Sequence, residues 1–358
     1  MTTATGANRA TTEASGRRGA LLPSPFRRRT IAPSLLYPIV LLVVPLGFLG
    51  GDAHLIQTLT GAALTAASCL GLAVLTGWAK LVSFCQGAMY GVGAYVGAIL
   101  ATRWDVPFIA LVLAGVVSGA IVGLVIALPT LRLDGVYLGI STIGLQMLIT
   151  GLMLKGGDLT GGPAGIAGIP MMKVFGLEAT TINTTYVFVC TWMIIVTLFV
   201  SLLWRSRYGR EMRLAGHSHA LTESVGASAT RRKIMAFAIA SSIGAATGVL
   251  HAHVYGVIDP TSFGIQVSAT MLIVVLLGGL HGRVNSVISA AFILTVLPEY
   301  LRGFANVRLM VYGGALMALI VFAPGGLSSA WDSIKRLSCD IQAAIMPGKQ
   351  SEMEEIKP

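Results

Sequence analysis

The chain has 358 residues, of which 54% are hydrophobic and only 11% are charged, and its mean hydropathy is +0.78. A soluble domain carries about 25% charged residues, so this composition excludes a water-soluble globular protein and predicts an integral membrane protein. The net charge of +10 does not indicate nucleic-acid binding, because 13 of the 25 Lys and Arg residues lie before residue 30 or within 205–233 and no folded basic domain presents them.

The chain begins with a basic arm, residues 1–34, which is rich in Thr, Ala, Ser and Arg. This composition has some features of a transit peptide, but no cleavage pattern precedes the first apolar run. We therefore interpret the arm as a disordered cytoplasmic segment.

Ten apolar segments follow, and each is near the length of about 20 residues that a helix needs to cross a bilayer. They predict an all-α, polytopic transmembrane helix bundle of about ten spans (8–10), within a domain of residues 35–327 that is followed by a tail, 328–358. The third, eighth and ninth are short or glycine-rich and are candidates for broken or re-entrant helices. The predicted spans are 35–50, 55–77, 84–102, 106–128, 133–154, 185–204, 234–257, 267–280, 285–301 and 309–325.

The basic residues also predict the topology. Segments rich in Arg and Lys stay on the cytoplasmic side, so the arm and the loop 205–233 are both expected inside, and six spans separate them. This alternation places the loop 155–184 outside and both termini in the cytoplasm. Indole rings favour the membrane interface, where we expect the tryptophans near span ends, Trp78, Trp104, Trp204 and Trp331.

Glycines spaced four apart predict close helix packing, because they lie on one helix face and let two backbones approach. Gly115, Gly119 and Gly123 form a consecutive ridge. Further pairs with this spacing are Gly87/Gly91, Gly93/Gly97 and Gly244/Gly248.

The sequence carries no catalytic or metal-binding pattern. His251 and His253 are two residues apart, as are His217 and His219, so neither pair shares a helix face, and an interfacial or loop role is favoured. The cysteines form no C-x-x-C pair, and no phosphate-binding loop is present. We therefore expect no enzyme, metal or cofactor on this chain, and ATP, if it drives the protein, on partner subunits.

The loop 205–233 is the best candidate for a docking site. Ala220, Leu221, Ser224 and Val225 can share one face of a short helix that Gly226 ends. The alternative, that basic residues only retain the loop in the cytoplasm, explains the charge but not this apolar face. The candidate docking residues are Arg210, Ala220, Leu221, Glu223, Val225 and Gly226.

Seven motifs in order make the chain resemble the branched-chain amino acid ABC transporter permeases of the LivM type (LivH/LivM permease family). Residues 83–95 (SFCQGAMYGVGAY) resemble the family's SLG(Q/H)GAFxGxGAY, and 131–138 (LRLDGVYL) its LRLxGxYL. The other similar segments are 160–165 (TGGPAG), 209–248 with Gly209, Arg210 and Gly226, 258–263 (IDPTSF), 278–279 (GG) and 322–327 (FAPGGL).

The resemblance implies about ten helices, with an ATPase-coupling loop between the sixth and seventh, in the bacterial inner (plasma) membrane. It implies as partners a second permease of the same family, two ABC ATPase subunits and a periplasmic substrate-binding protein, and as substrates branched-chain or other hydrophobic amino acids. The chain departs from the family at Phe84, Cys85 and Met89, near the expected pathway. Permeases of this family for urea, short amides or aromatic acids are therefore an alternative.

Two alternatives come from other classes of protein: a stand-alone carrier or channel, and an intramembrane enzyme. The scarcity of acidic residues within the spans argues against a proton-coupled carrier. Neutral polar groups can bind a zwitterion without a buried charge, and each can equally form a helix–helix hydrogen bond. The candidate pathway residues are Gln86, Tyr90, Tyr95, Tyr137 and Gln146, and those of the exported loop are Thr160, Gly161, Gly162 and Gly165.

Overall fold

The computed structural model describes residues 53–104, 106–131, 133, 135–174, 177–178, 181–278 and 284–300. The predicted arm, the first and last predicted spans and the predicted tail lie outside these residues.

Ten α-helices form within the described ranges. Eight of them correspond to the second to ninth predicted spans, and the other two, α6 and α7, lie in the loop 205–233. The helices are α1 (Ala53–Ala73, continued by a π-helical turn, Val74–Trp78), α2 (Gln86–Trp104), α3 (Phe108–Thr130), α4 (Val136–Lys155), α5 (Ile182–Arg205), α6 (Arg207–His217), α7 (His219–Ser224), α8 (Ala229–Tyr255), α9 (Ile265–Gly278) and α10 (Val284–Tyr300).

Six stretches of the described chain are helical, long and apolar enough to cross a membrane: α1 with its π turn, α3, α4, α5, α8, and α9 with the 3-10 turn before it. Helix α10 is apolar but shorter, and α2 carries several glycines and polar residues. The prediction of an all-α bundle is confirmed for the membrane part, whereas the count of ten spans and the side on which the termini lie stay predictions.

The loop 155–184 contains short strands that the sequence did not predict. Strand β1 (Ile166–Ala167) pairs antiparallel with β4 (Val257–Ile258), with Ile166 opposite Ile258. Strands β2 (Lys173–Val174) and β3 (Leu177–Glu178) pair with each other. The loop therefore folds back onto the end of α8, because β4 directly follows that helix.

Helix α8 is the centre of the bundle and packs against α1, α2 and α3. The predicted glycine ridge of α3 faces it: a Cβ on Gly119 would lie 2.6 Å from the backbone oxygen of Ser241. Gly93 of α2 lies against the Ala245 backbone, and Gly248 of α8 against that of Tyr90. The glycine spacing thus gave the packing faces correctly, since any side chain there would separate α2, α3 and α8.

The tryptophan prediction is wrong at one position. Trp104 is 74% exposed at the end of α2, as an interfacial residue would be, but Trp78 is buried at 2% exposure. Trp78 packs edge-on against Trp204 with ring centroids 5.1 Å apart. The reason is that α6 folds back beneath both rings, so this end of the bundle is covered by protein.

The two long loops lie at opposite ends of the bundle. Helix α8 joins α7 to β4 and has 27 residues, which corresponds to about 40 Å at 1.5 Å per residue. We call the end with α6 and α7 the basic end, and the end with β1 and β4 the strand end. The predicted alternation of the loops 155–184 and 205–233 agrees with this separation.

Candidate functional site

Helix α2 begins inside the bundle instead of at its surface. The chain leaves α1 at Trp78, and residues 79–85 are not helical, with Lys80 in the left-handed region at φ 57°. Gln86, the first residue of α2, lies beside Ser68 and Ala240, in the middle of α1 and α8. The third predicted span is thus one uninterrupted helix of 19 residues, preceded by a non-helical segment. Irregular backbone inside a membrane protein requires polar partners.

Side chains from two other helices cap the start of α2. The Gly87 N–H donates to Ser268 Oγ at 2.8 Å, and the Ala88 N–H donates to Gln146 Oε1 at 2.7 Å. Ser268 Oγ also donates to Gln146 Oε1 at 2.8 Å, and the Phe84 N–H donates to Thr142 Oγ1 at 3.1 Å. These bonds satisfy N–H groups that a helix start leaves without partners.

Gln86 and Gln146 are brought together at this point, and both are buried. Gln86 Nε2 donates to the carbonyl oxygens of Ser68 and Ala240, each at 3.2 Å, and Gln146 Nε2 donates to that of Phe263 at 2.7 Å. We call Ser68, Gln86, Thr142, Gln146 and Ser268 the polar layer. In this structure the two glutamines bond to other helices, so the alternative of helix–helix hydrogen bonds accounts for their contacts. Contact with substrate stays a prediction.

Tyr90 and Tyr95 lie further along α2, towards the strand end, in a group of rings. The Tyr90 hydroxyl and His251 Nδ1 are 3.0 Å apart, and the donor depends on the histidine tautomer. Tyr90 and Tyr95 both pack against Phe263, at centroid distances of 5.9 and 6.2 Å. The Tyr95 hydroxyl is buried and has no hydrogen-bond partner among the described residues. We call Tyr90, Tyr95, His251 and Phe263 the ring cluster.

Tyr137 is not part of either group. It lies at the start of α4 with 73% of its surface exposed, beside other exposed apolar residues of that helix. Of the other four candidate pathway residues, Gln86, Tyr90 and Tyr95 lie on α2 and Gln146 lies on α4. Gln86 and Gln146 belong to the polar layer, and Tyr90 and Tyr95 belong to the ring cluster.

Sequence reasoning missed His251, for which an interfacial or loop role was favoured. The argument that His251 and His253 point apart was correct, since His253 packs instead against Phe108 at 5.3 Å. The contact between His251 of α8 and Tyr90 of α2 was not predicted from the sequence. Ser68, Thr142 and Ser268 gave no separate signal, because isolated hydroxyl residues are common in membrane helices and bond to their own backbone.

The motif 160–165, for which an exported loop was predicted, adopts a tight turn at the strand end. Thr160 Oγ1 donates to the Met153 carbonyl at 2.8 Å, and Gly161, Gly162 and Gly165 have φ values of 71°, 56° and 71°. A side chain on Gly165 would overlap the Ile258 backbone where β1 meets β4. Glycine is needed at these positions because other residues rarely adopt such angles.

The motif 258–263 lies against this turn and is held by Asp259. Its carboxylate accepts hydrogen bonds from Ser262 N at 3.0 Å, from Ser262 Oγ at 2.6 Å and from the Thr261 hydroxyl. The hydrogen bonds from the side chains of Ser262 and then Thr261 lower the pKa of Asp259. The motifs 160–165 and 258–263, far apart in sequence, therefore form one surface at the strand end.

At the basic end, α6 lies directly on the bundle. A Cβ on Gly216 would overlap the Trp78 backbone, and one on Gly209 would overlap that of Leu203. The Arg213 guanidinium lies 3.8 Å from the centroid of Trp204 and donates to its carbonyl at 3.0 Å. Burial, and then the charge of Arg210, lower the pKa of Arg213 to about 10. Helix α6 is therefore fixed to the ends of α1 and α5.

Helix α7 is the outer element of this loop. Ser218 caps its start by accepting from Leu221 N at 3.4 Å, and Gly226, at φ 75°, follows its end. The predicted short helix ended by Gly226 is thus present. Leu221 and Val225 are 55% and 54% exposed, and the remaining candidate docking residues, Arg210, Ala220, Glu223 and Gly226, are also exposed.

The comparisons with known proteins agree with this geometry. Residues 54–323 match the family model described as branched-chain amino acid transport system / permease component. The chain is 33% identical over 282 residues to the high-affinity branched-chain amino acid transport system permease protein LivM of Salmonella typhimurium, and 32% identical over 282 residues to the LivM protein of Escherichia coli. Each alignment covers 72% of this chain and 66% of the relative. No solved structure matches the chain significantly.

Proposed function

Because this chain belongs to the family of branched-chain amino acid transport system permease components, we propose that it is the membrane-spanning permease subunit of an ABC importer. In this proposal it moves branched-chain or other hydrophobic amino acids that a periplasmic binding protein delivers, and ATPases on separate chains drive it. Its partners are two such ATPase subunits and a second permease of the family, in the bacterial inner membrane.

The observation that carries the proposal is the exposed apolar face of α7 at the end of a multi-pass bundle. Exposed apolar residues on a capped helix favour a protein partner, and exposed Leu221 and Val225 point to one at the basic end. Helix α6 connects this face to α1, α5 and α8, so a force on α7 is transmitted to the helices that hold α2.

The strand end supplies the opposite surface. The motifs 160–165 and 258–263 meet there, next to the ring cluster. We assign the docking of the binding protein to this surface. Between the two ends, the polar layer and the ring cluster lie along α2. The non-helical segment before α2 resembles the interrupted helices that transporters use at substrate sites.

The docking assignment is tested by Leu221→Asp in the assembled complex. A carboxylate placed in an apolar contact costs several kcal/mol unless it is paired, so we expect the ATPases to be lost on co-purification and ATP-dependent uptake to fall to background. The matched control is Leu159→Asp, which changes a leucine of similar exposure, 53%, at the strand end.

The control variant should retain the ATPases. If Leu221→Asp co-purifies with them as the unchanged chain does and supports the same uptake, α7 is not the docking helix. If both variants lose the ATPases, the effect comes from the introduced charge and the assignment to α7 also fails.

A further inference from the structure

A cavity of about 460 Å³ opens at the basic end, between the non-helical segment 79–85 and the first half of α4. Gly216, near the end of α6, and Lys233, near the start of α8, also line it. The segment 79–85 directly follows the π-helical turn that ends α1, so the cavity lies at the level of several helix ends. In a membrane-spanning bundle this is the level at which the hydrocarbon core meets the headgroups.

One wall of the cavity is continuous with the exposed apolar face of α4. Val136 and Ile140 line the cavity and are 76% and 60% exposed, and Met147 and Leu148 continue the exposed face along the helix. The lining extends along α4 from Val136 to Ile143, about 10 Å at 1.5 Å per residue. Because lipid solvates exposed apolar faces of this kind, the wall suits the first part of an acyl chain.

Two lysines lie in this mostly aliphatic lining. Among the described residues that line the cavity, the charged ones are Lys80 and Lys233, and neither forms an ion pair with a carboxylate of the described chain. The Lys80 side chain runs along α6, with its Cγ 3.1 Å from the place of a Cβ on Gly216. Lys233 Nζ lies 3.0 Å from His219 Nε2, and an imidazole does not neutralise an ammonium group. The two charges therefore favour an anionic ligand.

The start of α4 adds a third positive element to the cavity. The residue before the helix is Gly135, and no side-chain hydrogen bond caps the helix there. Gly135, Val136, Leu138 and Gly139, which belong to or precede its first turn, all line the cavity. The N–H groups of a first turn lack partners within the helix and carry partial positive charge. A helix start of this kind binds phosphate groups readily, above all beside two lysines.

We propose that this cavity binds an anionic phospholipid. Its phosphate lies between Lys80, Lys233 and the start of α4, and one acyl chain lies along Ile140 and Ile143. Basic pockets between membrane helices on the cytoplasmic side, where the basic end is predicted to lie, suit anionic headgroups. The lipid joins the segment before α2 to α4, α6 and α8. This site goes beyond the proposed function, because its ligand is a component of the membrane and not the solute that is moved.

The experiment measures lipid binding to the full chain by native mass spectrometry, during titration with phosphatidylglycerol or phosphatidylcholine in detergent. Phosphatidylglycerol should bind more tightly, and Lys80→Gln should raise its Kd about fivefold, since one lysine near an anionic headgroup contributes about that factor. Lys80→Arg keeps the charge and should bind phosphatidylglycerol as the unchanged chain does. The matched control is Lys155→Gln, which removes an exposed lysine at the other end of α4 and should leave the Kd unchanged.

A second variant tests the apolar wall without changing any charge. Ile143→Trp fills the inner part of the cavity and should weaken phosphatidylglycerol binding at least as much as Lys80→Gln does. Met147→Trp is its control, because Met147 lies one turn further along α4, is 60% exposed and is not among the lining residues. The two tests are independent, so a variant that does not fold leaves the other to decide.

Several results would overturn the lipid site. Equal weakening by Lys80→Gln and Lys155→Gln would show general attraction to a basic surface. Displacement of phosphatidylglycerol by inorganic phosphate at equal concentration would show an anion site that needs no acyl chain, and displacement by L-leucine would show a solute site. Loss of the lipid on assembly with the second permease would show that this partner covers the cavity. None of these results bears on ATP-dependent uptake, so the proposed function is tested separately.

Discussion

Glu211 of α6 and Arg232 of α8 form an ion pair in which Oε2 and Nη2 are 2.6 Å apart. The other carboxylate oxygen accepts from Arg207 Nε at 2.8 Å. The Glu211 side chain is only 7% exposed, whereas those of Arg232 and Arg207 are 20% and 76% exposed. The inner pair therefore carries most of the interaction, and it joins the helix below the bundle to the helix at its centre.

Replacing Glu211 with Ala should destabilise the basic end, because it leaves the Arg232 guanidinium largely buried without its carboxylate. Removing one partner of a buried pair costs about 3 kcal/mol or more. The midpoint of thermal unfolding of the purified chain in detergent should fall clearly. The exposed acid of α7 provides the control, since Glu223→Ala should change stability by less than about 0.5 kcal/mol. Equal midpoints for the two variants would show that the ion pair contributes nothing.

Gly93→Ala should separate α2 from α8. The added methyl group would overlap the Ala245 backbone, which cannot move without shifting α8. Overpacking of this kind typically costs about 1–3 kcal/mol, and a clash with backbone lies at the upper end. Gly144→Ala on α4 is the control, because a Cβ there meets nothing within 4 Å. Comparable yield and thermal midpoint for both variants would contradict the packing of α2 on α8.

Gln146→Leu should destabilise the start of α2, since the Ala88 N–H and the Phe263 carbonyl each lose their partner. Each buried polar group left without a hydrogen bond costs about 1–3 kcal/mol. Thr150→Val serves as the comparison, because it removes only two peripheral bonds, one from Gln146 Nε2 to the Thr150 hydroxyl and one from that hydroxyl to the Gln146 carbonyl. The measurement is again the thermal midpoint, and a smaller loss for Gln146→Leu than for Thr150→Val would disprove the capping role.

The Asp259 carboxylate predicts a pH dependence at the strand end. Its pKa is lowered in the folded chain by hydrogen bonds from Ser262 and Thr261, so its contribution to stability is complete above the pKa of an unfolded Asp, about 3.9. The contribution is lost as the pH falls further, through the folded-state pKa. Asp259→Asn should abolish this component, so the difference in thermal midpoint between the unchanged chain and the variant should shrink between pH 5 and about 3. A difference in thermal midpoint that stays constant over this pH range would contradict the stabilising role of the Asp259 carboxylate.

Composition and periodicity predicted much of the bundle, and particular residues show why. A bilayer leaves few alternatives to helices, so eight of the ten predicted spans recur as helices, and the other two lie outside the described residues. Gly115, Gly119 and Gly123 identified the face of α3 that meets α8, because close approach of two backbones requires glycine at fixed spacing. Apolar length and glycine spacing can both be recognised within the sequence of a single helix.

What the sequence did not predict depends on contacts between distant segments. The burial of Trp78 follows from α6 folding beneath it, and the pairing of Ile166 with Ile258 joins a loop to a helix end 92 residues later. Gln86 and Gln146 were recognised as unusual polar residues in apolar spans. Their bonds to Ser68, Ala240 and Phe263 involve backbone oxygens of other helices, which no local pattern reveals.

The central claim, that this chain is a permease driven by separate ATPases, is tested most directly by uptake of labelled L-leucine into proteoliposomes. One set contains this chain alone, and the other contains the full assembly with its sister permease, ATPases and binding protein. We predict uptake by the full assembly that requires ATP, and none above empty liposomes by the chain alone. Uptake by the purified chain alone, down a leucine gradient and without ATP, would contradict the account.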